Sequence, residues 1–130
     1  MPSHTQVLVV EDNDLVRFAL LKQLEKLGIN AHSAQNGLDA MTFVHSHQYS
    51  LVLMDLQMPE MDGYEAAAAI RQYEKQQCRE FNPVLIIAVT AGGDKRRALA
   101  AGMNDFVQKP LFLDQLRAVI RKWRPGLLDK

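Results

Sequence analysis

The chain has 130 residues, 48% of them hydrophobic, which is enough for one domain with a buried core and too little for a second. Fifteen Lys and Arg offset fifteen Asp and Glu, so no global field exists to hold a nucleic acid or an anionic membrane, and neither is expected as a partner. The single cysteine, Cys78, excludes an internal disulfide, no apolar run approaches the ~20 residues that span a bilayer, and Met1 to His4 carry no secretory pattern, so a cytoplasmic location is expected.

In chain order, short aliphatic runs alternate with longer stretches of helical period, the pattern of a parallel α/β sheet. Residues 6–10 read as a first strand and 14–27 as a first helix; 30–34 and 38–47 form the second pair, 51–55 and 64–74 the third. A fourth strand over 84–90 precedes a helix over 95–101, and a fifth over 105–108 precedes a last helix over 111–123. The third and fourth strands are continuously apolar rather than alternating, as central strands covered on both faces should be. Gly28 and Gly102 fall where left-handed caps close helices, and Gly37 and Gly63 where loops turn into helices. Asp62-Gly63 has the composition of a hairpin turn, but no strand follows, so it reads as a loop entering a helix.

Open parallel sheets place their chemistry at strand C-terminal ends. Strand one ends in Glu11-Asp12, strand three in Asp55, strand four in Thr90 and strand five in Lys109-Pro110. With strand order 2-1-3-4-5 three carboxylates face one another, with Thr90 and Lys109 to one side. Such a cluster repels itself unless a cation neutralises it, and all-oxygen ligands favour Mg2+. A carboxylate, a hydroxyl, an ammonium and a metal ion suit a tetrahedral dianion, with in-line attack by the carboxylate giving an acyl phosphate. Asp55 has no structural reason to end an apolar run, which favours function. Asp14 reads as the cap of the first helix and Asp12 as a ligand. Phe106 taken alone is an ordinary core aromatic, and His4, His32, His45 and His47 read as surface residues without metal-ligand spacing.

The segments Val9-Val10-Glu11-Asp12-Asn13, the run from Asp55-Leu56-Gln57-Met58-Pro59 to Asp62-Gly63, Ala88-Val89-Thr90-Ala91 and Phe106-Val107-Gln108-Lys109-Pro110 together resemble the response-regulator receiver domains. Each segment alone is weakly specific; four in order, each at the end of its own strand, cover essentially the whole chain. The resemblance implies an α/β flavodoxin-like fold, a doubly wound five-stranded parallel sheet of order 2-1-3-4-5 with helices on both faces, in one domain over 1–130. It implies phosphotransfer from a histidine kinase or histidine phosphotransfer domain, and slow self-catalysed dephosphorylation rather than turnover of a separate substrate. Asp55 is then the phosphoacceptor; Glu11, Asp12, Asp55 and the Gln57 carbonyl are the Mg2+ ligands. Thr90 and Lys109 hold phosphoryl oxygens, and Phe106 is the aromatic that turns inward when Thr90 moves. Glu11 departs from the commoner Asp, and Gln57 and Gly92 occupy the variable positions beside the phosphoryl site.

Two other classes compete. Haloacid dehalogenase phosphatases also use a strand-end Asp nucleophile but need a second Asp two residues on, where this chain has Gln57. A flavin or nucleotide module needs a glycine-rich cradle after strand one, where Glu11-Asp12-Asn13-Asp14 repels phosphate. With no effector in the sequence, output must pass through a partner, or the chain is the receiver of a hybrid histidine kinase; a homodimer through helix four, strand five and helix five is a further expectation. On helix one, Val16, Leu20, Leu24 and Leu27 share the stripe that should face the sheet, which leaves Phe18, flanked by Leu15 and Leu21, as a candidate docking surface for the phosphodonor.

Overall fold

The apolar runs form five strands, β1 (Val7–Val10), β2 (Ala31–Ala34), β3 (Leu51–Met54), β4 (Leu85–Thr90) and β5 (Asp105–Gln108), in a computed structural model that describes residues 5–128. Between and after them run α1 (Asp14–Lys26), α2 (Gly37–Ser46), α3 (Gly63–Gln76), α4 (Lys95–Ala100) and α5 (Leu113–Trp123). All strand pairs are parallel, as the alternation predicts, and the order is β2-β1-β3-β4-β5, as the resemblance implies. A short 3-10 turn at Pro125–Leu127 follows α5, where Pro125-Gly126 is a turn dipeptide. His4 lies outside the described residues.

Side chains alternate across the sheet and divide the core in two. Leu8, Val10, Val52, Met54 and Ile86 face the layer of α2, α3 and α4 through Ala40, Val44, Ala66, Ile70 and Ala98. Val7, Val9, Leu51, Leu53 and Ile87 face α1 and α5 through Leu20, Leu24, Leu116 and Ile120. Full burial of a Leu or Ile is worth about 1.5–3 kcal/mol each, and these central strands carry such residues on both faces. Of the α1 stripe, Leu20 and Leu24 are buried, while Val16 and Leu27 stay half-buried at its ends.

Helix starts are fixed by short polar side chains. The Asn13 side chain accepts from the Val16 N–H at 3.0 Å, so Asn13 caps α1 and Asp14, expected as the cap, is instead its first residue. Asn is as good a cap as Asp, and an Asn-Asp pair leaves the choice to the turn geometry. At α3, Asp62 accepts from the Glu65 N–H and Glu65 from the Asp62 N–H, a reciprocal box that confirms a loop entering a helix. Gly28 and Gly102 lie just past α1 and α4 with φ of +79° and +107°, the left-handed caps expected of them. The surface reading of the histidines holds for His45 and His47 but not His32, which is half-buried with its Nδ1 2.6 Å from the Tyr49 hydroxyl. Burial pushes the Tyr49 phenol up to about 12, so it stays protonated.

A second tie closes the α5 side. The Trp123 indole N–H donates to Asp105 Oδ2 at 2.7 Å, the Phe106 N–H donates to Asp105 Oδ1 at 2.8 Å, and Lys122 Nζ lies 3.5 Å away. Burial alone would raise the Asp105 carboxyl, but these three partners together hold it below the usual carboxylate range. A carboxyl depressed in the folded state contributes stability above its unfolded pKa and loses it as the pH falls through the folded one. Asp105→Asn is therefore expected to cost about 1–2 kcal/mol in urea unfolding at neutral pH. The gap to the parent should close as the pH drops below the carboxylate range, and a gap independent of pH would contradict the assignment.

Candidate functional site

The sheet register brings the strand ends together. Val10 pairs with Met54 and Met54 with Ala88, so Glu11 and Asp55 leave neighbouring strands at the same level, and Thr90 ends β4 beside them. Asp55 is held by its own N–H, which donates to the Val10 carbonyl at 2.9 Å. Glu11, Asp55 and Thr90 are buried, at 3%, 5% and 0% exposure, whereas Asp12 faces solvent. One oxygen of each of Glu11, Asp12 and Asp55 lies within 4.8 Å of the others, a triad that could hold a metal ion.

Lys109 follows β5 at the same end, where its N–H donates to the Thr90 carbonyl at 2.9 Å. Its ammonium donates to Glu11 Oε1 and stands 3.7 Å from Asp55 Oδ1. Burial pushes the Glu11 carboxyl above its ordinary value and the Asp55 charge adds to that; the hydrogen bonds from Lys109 and from the Asn13 N–H oppose it without cancelling it. Three acidic groups against one ammonium leave room for a further cation. The donors are all hard oxygen, which fits Mg2+ rather than a soft metal.

The remaining expected residues are placed less centrally. The Gln57 N–H donates to Asp55 Oδ1 at 3.3 Å, and its side chain is exposed near Gly92. Phe106 is half-buried against the α2–α3 layer, short of a fixed core position. On α1, Leu15 and Phe18 are 81% and 59% exposed, but Leu21 does not join them. It lies at the edge of the buried stripe, half-buried against the α1–α5 core, so the exposed pair is Leu15 and Phe18. Leu15 lines a groove of about 480 Å³ that runs past Ala19 and Val89 to Lys109, Pro110 and Leu111. Gln23 ties its far wall by donating to the Leu111 carbonyl at 2.8 Å.

Arg17 was not legible as a site residue. It reads as a solvated helix charge, yet its Nη1 donates to the Glu11 carbonyl at 2.8 Å and so fixes the backbone beneath the acidic pair. The i, i+3 spacing from Asp14, which it also pairs, was the only available signal. Phe112, which follows Lys109-Pro110-Leu111 and precedes α5, is 63% exposed.

Residues 7–121 match the family model for the response regulator receiver domain. "Hybrid signal transduction histidine kinase G" of Dictyostelium discoideum is 39% identical over 127 residues, covering 95% of this chain and 4% of that protein. A chain in the co-crystal structure of the Saccharomyces cerevisiae histidine phosphotransfer signaling protein Ypd1 with the receiver domain of its downstream response regulator Ssk1 is 38% identical, with a TM-score of 0.83, over 92% of this chain and 88% of that one. The receiver domain of sensor histidine kinase PA1611 from Pseudomonas aeruginosa, solved with a magnesium ion coordinated in its active site cleft, is 32% identical, with a TM-score of 0.81, over 93% and 98% of the two chains. The chain belongs to the response regulator receiver domain family. The phosphatase and cofactor-binding alternatives find no support. The chain spans a small fraction, 4%, of the length of the Dictyostelium kinase it matches. Among the described residues no helix is long and apolar enough to cross a membrane.

Proposed function

We propose that this receiver accepts a phosphoryl group from a phosphohistidine onto Asp55, in a cytoplasmic phosphorelay, and that its donor is a histidine kinase or a histidine phosphotransfer domain. The observation that carries this is the buried Asp55 carboxylate set between an acidic pair and the Lys109 ammonium, at the end of a central strand. Glu11, Asp12, Asp55 and the Gln57 carbonyl would hold Mg2+, which when bound would neutralise charge on the entering phosphoryl group. An Asp55 oxygen attacks phosphorus in line, the bond from phosphorus to the donor imidazole nitrogen breaks, and that nitrogen keeps the electron pair. Thr90 and Lys109 bind the phosphoryl oxygens, and Phe106 follows Thr90 as the switch. The reading of the chain as the receiver of a longer hybrid kinase is supported by its resemblance to such proteins.

Acetyl phosphate with Mg2+ is expected to add one phosphoryl group, read by intact mass. Addition to the Asp55→Asn protein, or equal addition in EDTA, would remove the assignment.

The donor docks on the groove that leads from Leu15 to Lys109 and on the exposed Phe18, one helical turn from Leu15. An exposed apolar pair beside the acceptor fits an apolar helix of a donor domain better than water. Phe18→Ala should slow transfer from the cognate phosphohistidine protein about tenfold or more, the loss of an interface aromatic, and leave acetyl phosphate labelling unchanged. Equal loss with both donors would rule out docking as the cause. The exposed Leu99 leaves the face of α4, β5 and α5 open to a homodimer, to be read by sedimentation with and without phosphorylation.

A further inference from the structure

Helix α4 is the shortest of the five α-helices described. It has six residues, buries Ala98 alone, and sets Lys95, Arg96 and Arg97 at its N-terminal end, where the helix dipole disfavours positive charge. Its start is capped by the Asp94 side chain, which accepts from the Arg97 N–H at 3.2 Å, and is also held from outside. The Tyr64 hydroxyl accepts from the Asp94 N–H at 2.7 Å, and the Arg97 guanidinium lies 4.0 Å over the Tyr64 ring.

Tyr64 is itself anchored beside the acceptor. The preceding Gly63 donates its N–H to the Leu56 carbonyl at 3.1 Å and packs so closely that a Cβ there would stand 2.8 Å from Leu56 Cα. Tyr64 therefore joins the residue after Asp55 to the N-cap of α4. Gly93 lies between the two with φ of +110°; a Cβ there would stand 2.7 Å from Leu56 Cδ1, 3.0 Å from the Tyr64 hydroxyl and 3.7 Å from the Phe106 ring. Tyr64 and the switch aromatic thus both lie close to Gly93.

The Thr90 hydroxyl accepts from the Gly92 N–H at 3.4 Å, turned toward its own loop. Reaching a phosphoryl group on Asp55 takes it out of that contact and draws on the short segment 91–94, which ends on the Tyr64 bond.

We propose that Tyr64 is a positioning residue that latches α4 to the start of α3 and opposes the inward movement of the Thr90 loop. Its ring and hydroxyl set how much of the phosphorylation energy reaches α4. The inference rests on the reading of Asp55 as acceptor and Thr90 as its hydroxyl partner.

The test is a beryllofluoride titration with Mg2+, followed by amide NMR, on the whole chain and on Tyr64→Phe, which keeps the ring and drops the hydroxyl. Loss of one hydrogen bond should speed exchange at Asp94 about fivefold and tighten beryllofluoride binding by a similar factor, because less must be released on switching. Arg97→Gln removes the ring contact from an exposed position and should shift binding the same way. Faster exchange at Asp94 with unchanged affinity in both variants, or weaker binding in either, overturns the latch. If the parent chain itself fails to bind beryllofluoride, the acceptor reading falls and the latch falls with it. If the parent binds and the variants do not differ from it, the latch alone is lost.

Discussion

Lys109→Ala is expected to slow phosphorylation of Asp55 by about 10²–10³-fold, the usual effect of deleting one preorganised donor from a site of developing negative charge. The ammonium is the only cation, among the described residues, that the structure places against both buried carboxylates, Glu11 and Asp55. It neutralises them at rest and faces the phosphoryl oxygens during transfer, so its removal acts twice. The Glu11 carboxyl, already pushed up by burial, rises further once the opposing hydrogen bond is gone. Mg2+ should then bind at least as tightly as in the parent, since it becomes the sole positive charge in the cluster. Acetyl phosphate labelling rates and calorimetric Mg2+ titrations at neutral pH separate the two effects. Labelling at the parental rate, or loss of Mg2+ binding together with labelling, would contradict this division of roles.

The largest expected loss of stability comes from a residue remote from the site. Glu74 is buried at 7% exposure on the last turns of α3; its Oε1 accepts from Arg71 Nη1 at 2.7 Å and its Oε2 from the Val84 N–H at 2.7 Å. Arg71 continues the network by donating to the Gly102 carbonyl at 2.9 Å and to Asn104 Oδ1 at 3.0 Å, and Asn104 Oδ1 also accepts from the Ile86 N–H at 2.9 Å. One carboxylate and one guanidinium thus tie the end of α3 to the start of β4 and to the turn before β5. Glu74→Ala leaves the Val84 N–H and part of the Arg71 charge unpaired, at a cost of about 3 kcal/mol in urea unfolding. Glu74→Gln keeps one acceptor and should cost about half as much. A loss below about 0.5 kcal/mol for the alanine variant would place Glu74 among ordinary solvated helix residues.

The contrast between these two residues shows what the sequence can and cannot reveal. Asp55 and the acidic pair were legible because they end apolar runs, where a polar residue has no packing reason to stand, and Lys109 because a Lys before Pro at a strand end holds a charge in a fixed place. The parallel sheet followed from the alternation of apolar strands with helices and its order from the family resemblance, and the register then brought the strand ends level. Glu74 and Arg71 were not legible, since an i, i+3 Arg-Glu pair on a helix reads as a solvated surface pair. Only the approach of β4 to that face buries it. Asn13 displaced Asp14 as the α1 cap for a similar local reason: two adjacent cap-forming side chains compete and backbone geometry decides. Leu21 reads as lying at the edge of the exposed side, but the α1–α5 core extends far enough to half-bury it.

The central claim is that Asp55 takes a phosphoryl group from histidine. The direct measurement is transfer from a phosphorylated histidine phosphotransfer protein in Mg2+, followed by peptide mass spectrometry with and without hydroxylamine. The account predicts one hydroxylamine-labile phosphoryl group, confined to the peptide that contains Asp55 and absent in EDTA. A phosphoryl group that resists hydroxylamine, or one carried on a peptide without Asp55, would contradict it.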